Sequence, residues 1–233
     1  IAVILGAGQG KRMRSTLPKV AHLLANKPLL QWTIDSLLNA QIEQIICVVS
    51  KNPIISEIIH QNKANENIHS CIQETPLGTG HAVSCALACV DNLQIADLNE
   101  TNIVIVAYGD TPAVKPETYK KFYQFHLESK NEVTALAFMT PNPFGYGRIL
   151  LSENDKKFMG IREEKDCSPE QKKINLCNSG LVCANLDVLK KILPQLTNNN
   201  SNSEYYLTDI FEYAKNSGLK IGYMQGDTEK EFC

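Results

Sequence analysis

The sequence predicts an α/β fold: a Rossmann-like sheet of mixed but mostly parallel strands, with helices on both faces. Apolar runs of strand length alternate with segments of helical period, the pattern of repeated βαβ units. The strand-like runs are almost uninterrupted in apolar character, as strands covered on both faces require. Polar, glycine-containing stretches follow three of them directly. In such sheets ligands gather beyond the carboxyl ends of the strands.

IAVIL opens the chain as a strand. Leu30, Ile34, Leu37 and Leu38 mark one face of a helix. QIICVVS reads as a buried strand, Ile54 to Ile59 as a helix, and HSCIQ as a short strand. Val83, Ala86, Leu87 and Val90 recur at i, i+3, i+4 and i+7, which is helical spacing. NIVIVAYGD is the strongest buried strand, with an apolar body and an acidic end. The loops LGAGQG, QETPLGTG and YGD therefore converge on one crevice. In the second half, EVTALAF, GRILL and LVCAN are strand candidates separated by long loops. SPEQKKI and QLTNNNSNSE are polar and turn-rich, and the latter is expected to be a mobile surface loop. No internal repeat is present, and no hexapeptide β-helix periodicity.

The chain's 233 residues, 43% of them hydrophobic, suffice for one sizeable core. A formal net charge of −2 argues against a dedicated nucleic-acid or membrane-surface binder. No apolar run approaches the length of a bilayer span, and IAVIL is too short for a signal h-region. The eight cysteines form no CxxC pair and no zinc-type spacing with histidine, so they read as reduced thiols of a cytoplasmic protein. Ile1 already lies inside a strand-like run, so a few residues are expected to be missing ahead of it.

Three phosphate-binding templates bear on the opening loop, LGAGQGKRMRSTLPK from Leu5 to Lys19. The Walker A loop needs Ser or Thr after Gly-Lys, and here Arg12 follows Gly10-Lys11. The Rossmann fingerprint needs GxGxxG, and Lys11 occupies the third glycine position. The third template fits. The loop resembles that of the sugar-nucleotide pyrophosphorylases, L-A-A-G-x-G-T-R-M…P-K. QETPLGTGHAV, YGDTPAV, GYGRIL, IREEKD, NSG and SEYYLTDI follow in that family's order, so seven motifs span Leu5 to Ile210. They narrow the resemblance to the bacterial N-acetylglucosamine-1-phosphate uridyltransferases, the amino-terminal half of a bifunctional family whose other half is a glucosamine-1-phosphate acetyltransferase.

The resemblance implies the nucleotide-diphospho-sugar transferase fold and a magnesium-dependent reaction. UTP and N-acetylglucosamine 1-phosphate would give UDP-N-acetylglucosamine and pyrophosphate, a precursor step for peptidoglycan and lipopolysaccharide. The sugar-phosphate oxygen attacks the α-phosphorus in line. Both reactants are anions, so such a site needs positive charge and N–H donors more than a general base. Leu5, Gly6, Ala7 and Gly8 would bring backbone N–H groups to the nucleotide. By the resemblance, Arg12 and Lys19 are the catalytic cations. Arg12 can offer two parallel hydrogen bonds, and Lys19 a compact charge held by Pro18.

Tyr108, Gly109 and Asp110 are implied to line the substrate site, with Asp110 binding Mg²⁺. Asp110 also reads as a turn residue before Thr111-Pro112. Gln73, Gly78 and Thr79 are expected to read uracil, although Gln73 alone could be a strand-end polar group facing water. His81 reads as structural. On the sugar side the resemblance points to Gly147, Glu163, Asn178, Tyr206 and Thr208. Glu164 and Asp166 leave open which acid acts, and motif alignment selects Glu163.

The pattern departs from the family in places. Gly6 replaces a common alanine, Lys11 replaces a threonine, and Leu176-Cys177-Asn178-Ser179-Gly180 lacks the family's carboxylate. The expected division is 1–220 for the uridyltransferase domain and 221–233 for its end and the start of a linker to an absent β-helix acetyltransferase domain. A fragment or truncated chain is expected, with the second magnesium ligand beyond its end. Full-length family members trimerise through that β-helix, so this piece would be monomeric. Competing readings are a pyrophosphorylase for another sugar 1-phosphate, of the UDP-glucose or dTDP-glucose type, and a catalytically silent binding subunit. Retention of Arg12, Lys19 and Asp110 disfavours the latter.

Overall fold

Alternate residues of the first strand, β1 (Ala2–Gly6), enter different cores, and this sets the layering of the molecule. Val3 and Leu5 join one buried cluster, Ala2 and Ile4 the other. Period-two alternation sends side chains to opposite faces, so a wholly apolar strand must be covered twice. The computed structural model describes residues 1–8, 10, 13, 15–61, 66–95 and 102–232.

The elements follow the predicted alternation through the first half. After β1 comes a small hairpin, β2 (Leu23–Leu24) and β3 (Lys27–Pro28), then α1 (Leu29–Asn39), β4 (Ile45–Val49), α2 (Pro53–His60), β5 (Ile68–Ile72), α3 (Thr79–Leu93) and β6 (Ile103–Tyr108). The second half contains α4 (Pro116–Ser129), β7 (Val133–Met139), β8 (Arg148–Leu151), β9 (Phe158–Arg162), β10 (Leu176–Asn185), α5 (Leu186–Ile192), α6 (Ile210–Asn216) and β11 (Ile221–Gln225).

The main sheet runs β11-β7-β10-β6-β1-β4-β5, and β8 and β9 extend from β10 as an antiparallel hairpin. Along this path β10 is antiparallel to both β6 and β7, and the other four pairings are parallel. The expected mixed, mostly parallel sheet is thus present. Helices α3, α5 and α6 contribute to one buried cluster, and α1, α2 and α4 to the other.

β10 is longer than the LVCAN segment that marked it, and it bulges between Asn178 and Val182. The residues at its start belong to the same strand because they pair with β7, Asn178 opposite Ala137, and the Ser179 hydroxyl donates to the Leu136 carbonyl at 2.7 Å. The tract QLTNNNSNSE, expected to be a mobile surface loop, is tied down. Asn200 donates to the Glu204 carbonyl at 2.6 Å, and Lys165 donates to Asn202 at 2.6 Å. Among the described residues the cysteines are free thiols, and burial pushes the Cys47 and Cys71 thiols up to about 12. Cys233 lies outside the described residues. No helix among the described residues is long and apolar enough to cross a membrane.

Candidate active site

Parallel strands deliver their carboxyl ends to one edge, and β1, β5 and β6 place three loops there. Between them lies a cavity of about 470 Å³. Leu5, Gly6, Ala7 and Gly8 form one wall, Gln73, Gly78 and Thr79 a second, and Tyr108 and Asp110 a third; Lys19 also lines it. Gly109 donates its backbone N–H to the Leu5 carbonyl at 3.0 Å, joining the first and third walls. Arg12, expected to share the catalytic charge, lies outside the described residues, as does Lys11.

Lys19 and Asp110 are ion-paired within this cavity. Lys19 opens a 3-10 turn, Lys19–Ala21, whose Val20 and Ala21 are buried, so its backbone is anchored while its ammonium reaches the cavity. Asp110 follows β6 in a turn held by Thr111, whose hydroxyl donates to the Tyr108 carbonyl at 2.9 Å. Among the described residues no group of three or more His, Cys, Asp or Glu side chains is arranged to hold a metal. Asp110 and Glu204 are the carboxylates on the cavity wall, and a hard divalent cation takes one or two protein carboxylates and fills its shell with phosphate oxygens and water.

Gln73 is buried at the end of β5. Its amide nitrogen donates to the Gly78 carbonyl at 3.1 Å and pairs with His81 Nδ1 at 2.9 Å. Both donors are thereby engaged, which leaves the amide oxygen as the group offered to a ligand. His81 orients Gln73, in keeping with its structural reading. Gly78 adopts φ +115°, and a Cβ there would lie 2.5 Å from the Tyr205 carbonyl oxygen. That close approach clasps the turn onto the later loop. Tyr205 donates to the Leu77 carbonyl at 2.8 Å, Gly80 donates to the Tyr205 carbonyl at 2.8 Å, and Leu207 donates to Thr79 Oγ at 2.9 Å.

Tyr108 stands between the two halves of the site. Its hydroxyl shares a hydrogen bond with the Thr79 side chain, and burial, with Glu163 and Asp110 adding, pushes the phenol well above its usual range. A Cβ on Gly180, at φ +93°, would fall 2.6 Å from the Tyr108 ring, so only glycine admits that ring position.

The sugar-side candidates fall into two groups, Gly147 with Asn178, and Glu163 with Thr208 and Tyr206. Asn178 donates its backbone N–H to the Gly147 carbonyl at 2.8 Å, and its side-chain oxygen accepts from Gly180 at 3.0 Å. A Cβ on Gly147 would meet the Asn178 Cβ at 3.5 Å and the Arg162 carbonyl at 3.6 Å. Thr208 donates to Glu163 Oε1 at 2.8 Å, while burial, with Asp166 and Glu204 adding, raises the Glu163 carboxyl. Its neighbours are committed elsewhere: Glu164 pairs with Arg148 at 2.7 Å, and Asp166 accepts the Ser201 N–H at 3.1 Å.

Glu163 and Tyr206 line a second cavity of about 420 Å³, which Asp209 and Glu212 also border. Glu204, on the wall of the first cavity, lies within the SEYYLTDI motif but is not among the residues that the resemblance points to.

A sheet with nucleotide-sized space at its carboxyl edge, a glycine turn and a paired lysine and aspartate define a nucleotidyl-transfer architecture. The chain belongs to the nucleotidyl transferase family, whose profile matches residues 1–229. It is similar to the bifunctional protein GlmU of Clostridium perfringens (strain ATCC 13124), with 37% identity over 229 residues, 98% of this chain and 48% of the relative. The corresponding proteins of Clostridium novyi and Clostridium kluyveri are 40% and 41% identical over 221 residues, 95% of this chain and 46% of each relative. The chain spans about half the length of these curated relatives. Its fold is shared with a Bacillus anthracis protein assigned as a glucose-1-phosphate thymidylyltransferase, solved in complex with a sucrose. The TM-score is 0.72 at 16% identity, covering 97% of this chain and 86% of that one.

Proposed function

We propose that the chain is the uridyltransferase unit of a GlmU-type bifunctional protein and transfers a uridylyl group from UTP to N-acetylglucosamine 1-phosphate, releasing pyrophosphate. One observation carries the reading. The three strand-end loops that hold the family's motifs line a single cavity, with Lys19 and Asp110 paired inside it. The similarity to GlmU proteins along nearly the whole chain supports the choice of substrates.

The nucleotide would enter with its base at Gln73 and its phosphates along Gly6, Ala7 and Gly8. The Gln73 amide oxygen would accept the uracil N3–H, a group cytosine lacks, and a buried unpaired acceptor discriminates strongly. Lys19 and Arg12 would neutralise charge that builds on the α-phosphate as pyrophosphate leaves. Asp110 would hold the magnesium ion, which when bound supplies further charge neutralisation to the phosphates. Gly147, Glu163, Asn178 and Thr208 would position the sugar, and Tyr206 would border it. The sugar phosphate is already ionised, so no side chain need remove a proton from the nucleophile. In this reading the transferase unit would span 1–220, and 221–233, where β11 joins the sheet, would be its end and the start of a linker.

Pyrophosphate release on mixing protein, UTP, Mg²⁺ and N-acetylglucosamine 1-phosphate tests the reading. Glucose 1-phosphate and dTTP run in parallel, as does a longer chain that includes the relatives' remaining half. Faster turnover with glucose 1-phosphate or dTTP would transfer the chain to another substrate class. UTP binding without release in either chain length would leave a binding subunit.

A further inference from the structure

The most buried charged side chain among the described residues is Arg148, which is 1% exposed. Burying a guanidinium is costly unless every neighbour is arranged to receive it. Here three separate stretches converge on it. Nη1 donates to the Tyr146 carbonyl in the loop ahead of β8. Nη2 donates to Glu164 Oε2 at 2.7 Å, in the turn after β9, and to the Lys172 carbonyl at 3.3 Å, ahead of β10. Glu164 Oε2 also accepts the Gly145 N–H at 3.3 Å, while Arg148 Nε has no hydrogen-bond partner among the described residues.

The placement of this network relative to the site is the informative part. Gly147 immediately precedes Arg148, and Glu163 immediately precedes Glu164. Cys177, which is paired in register with Arg148, immediately precedes Asn178. Each sugar-side candidate on these three stretches is thus one residue from an atom or register position set by the buried pair. Cys177 and Asn178 are successive residues of β10 and face opposite ways, so Asn178 points away from the face on which Cys177 meets Arg148.

We propose that the Arg148–Glu164 ion pair is the positioning device of the sugar-phosphate half of the site. It holds Gly147, Glu163 and Asn178 at their mutual spacing and thereby sets affinity for the sugar 1-phosphate separately from affinity for the nucleotide. The proposal rests on the uridyltransferase reading for the identity of the sugar. It does not rest on it for the separation of the two halves. Among the described residues, the Arg148 side chain hydrogen-bonds to Tyr146, Glu164 and Lys172, and none of these lines the nucleotide cavity.

The test uses Glu164→Gln, which keeps an acceptor for Arg148 and Gly145 while removing the charge, and Arg148→Lys, which keeps the charge and loses the fork. Steady-state kinetics are measured for UTP and for the sugar 1-phosphate that the wild-type chain uses best. Binding of UDP and of the matching UDP-sugar is measured by calorimetry, and folding by thermal melting. The expected result for Glu164→Gln is a rise of about 10- to 100-fold in KM for the sugar phosphate, with KM for UTP and affinity for UDP within about twofold. Arg148→Lys should show the same split, and the UDP-sugar should lose its advantage over UDP.

An unchanged KM for the sugar phosphate in folded variants would overturn the proposal. So would an equal loss for both substrates, because that is the behaviour of a merely structural pair. A wild-type preference for a sugar other than N-acetylglucosamine would sink the substrate reading and leave this comparison intact. A wild-type chain that binds the UDP-sugar no better than UDP would sink both.

Discussion

The Lys19 ammonium and the Asp110 carboxylate are ion-paired in the cavity, joining the end of the opening loop to the carboxyl end of β6. The two groups are 91 residues apart in sequence, and parallel pairing of β1 with β6 brings their strands together. The pair has a functional consequence. In the proposed reading, a divalent cation and Lys19 would compete for the Asp110 carboxylate until a triphosphate gave Lys19 another partner.

Lys19→Ala is therefore expected to bind Mn²⁺ or Mg²⁺ alone about 3- to 10-fold more tightly while losing turnover by about 10²–10³. Asp110→Asn should lose turnover to a similar degree and need more metal. Calorimetry without nucleotide, beside a pyrophosphate-release assay, separates the two effects. Weaker metal binding in Lys19→Ala would rule out the competition. Arg12→Ala should also fall by about 10²–10³ in turnover, and a change below about threefold would remove Arg12 from a catalytic role.

Gly78→Ala is expected to destabilise by more than about 1 kcal/mol, because the position needs positive φ and the new methyl meets the Tyr205 backbone. The strain also opens the clasp between Leu77, Gly80 and Tyr205, so KM for UTP should rise with it. Urea unfolding and UTP kinetics on the same sample check this. A fully stable variant with wild-type kinetics would mean that the turn does not depend on the clasp.

His81→Leu removes the acceptor that orients the Gln73 amide. Its expected effect is on base choice and not on rate. The ratio of kcat/KM for UTP over CTP should fall by about tenfold, with kcat for UTP little changed. A collapse of kcat with the ratio intact would give His81 a chemical role instead.

Asp209 lends the fold a pH dependence. Burial, with Glu212 adding, pushes its carboxyl up to about 6 from 3.8. The native state then holds a proton that the unfolded chain has released. Stability is fully present below about pH 3.8, declines as pH rises, and is lowest above about 6. Asp209→Asn should raise the melting temperature at about pH 7.5 by about 2–4 °C and leave it unchanged at about pH 4. Its partial exposure keeps the effect at this modest size. An equal gain at both pH values would assign the effect to packing.

The sequence by itself determined the alternation of strands and helices in the first half and the convergence of three polar loops. These are local properties: apolar period, glycine turns, and the rule that parallel strands deliver their ends to one edge. It also marked the sugar-side residues, but as separate motifs of uncertain partnership, with three acids competing for one role. Only the tertiary structure divided those acids, committing Glu164 to Arg148 and Asp166 to Ser201 while Thr208 meets Glu163. It likewise revealed that Gly180 makes room for Tyr108 and that the asparagine-rich tract is anchored. Periodicity carries burial and direction. It carries nothing about which of two neighbouring carboxylates faces a buried guanidinium, because that depends on how the two sides of an antiparallel hairpin meet in register.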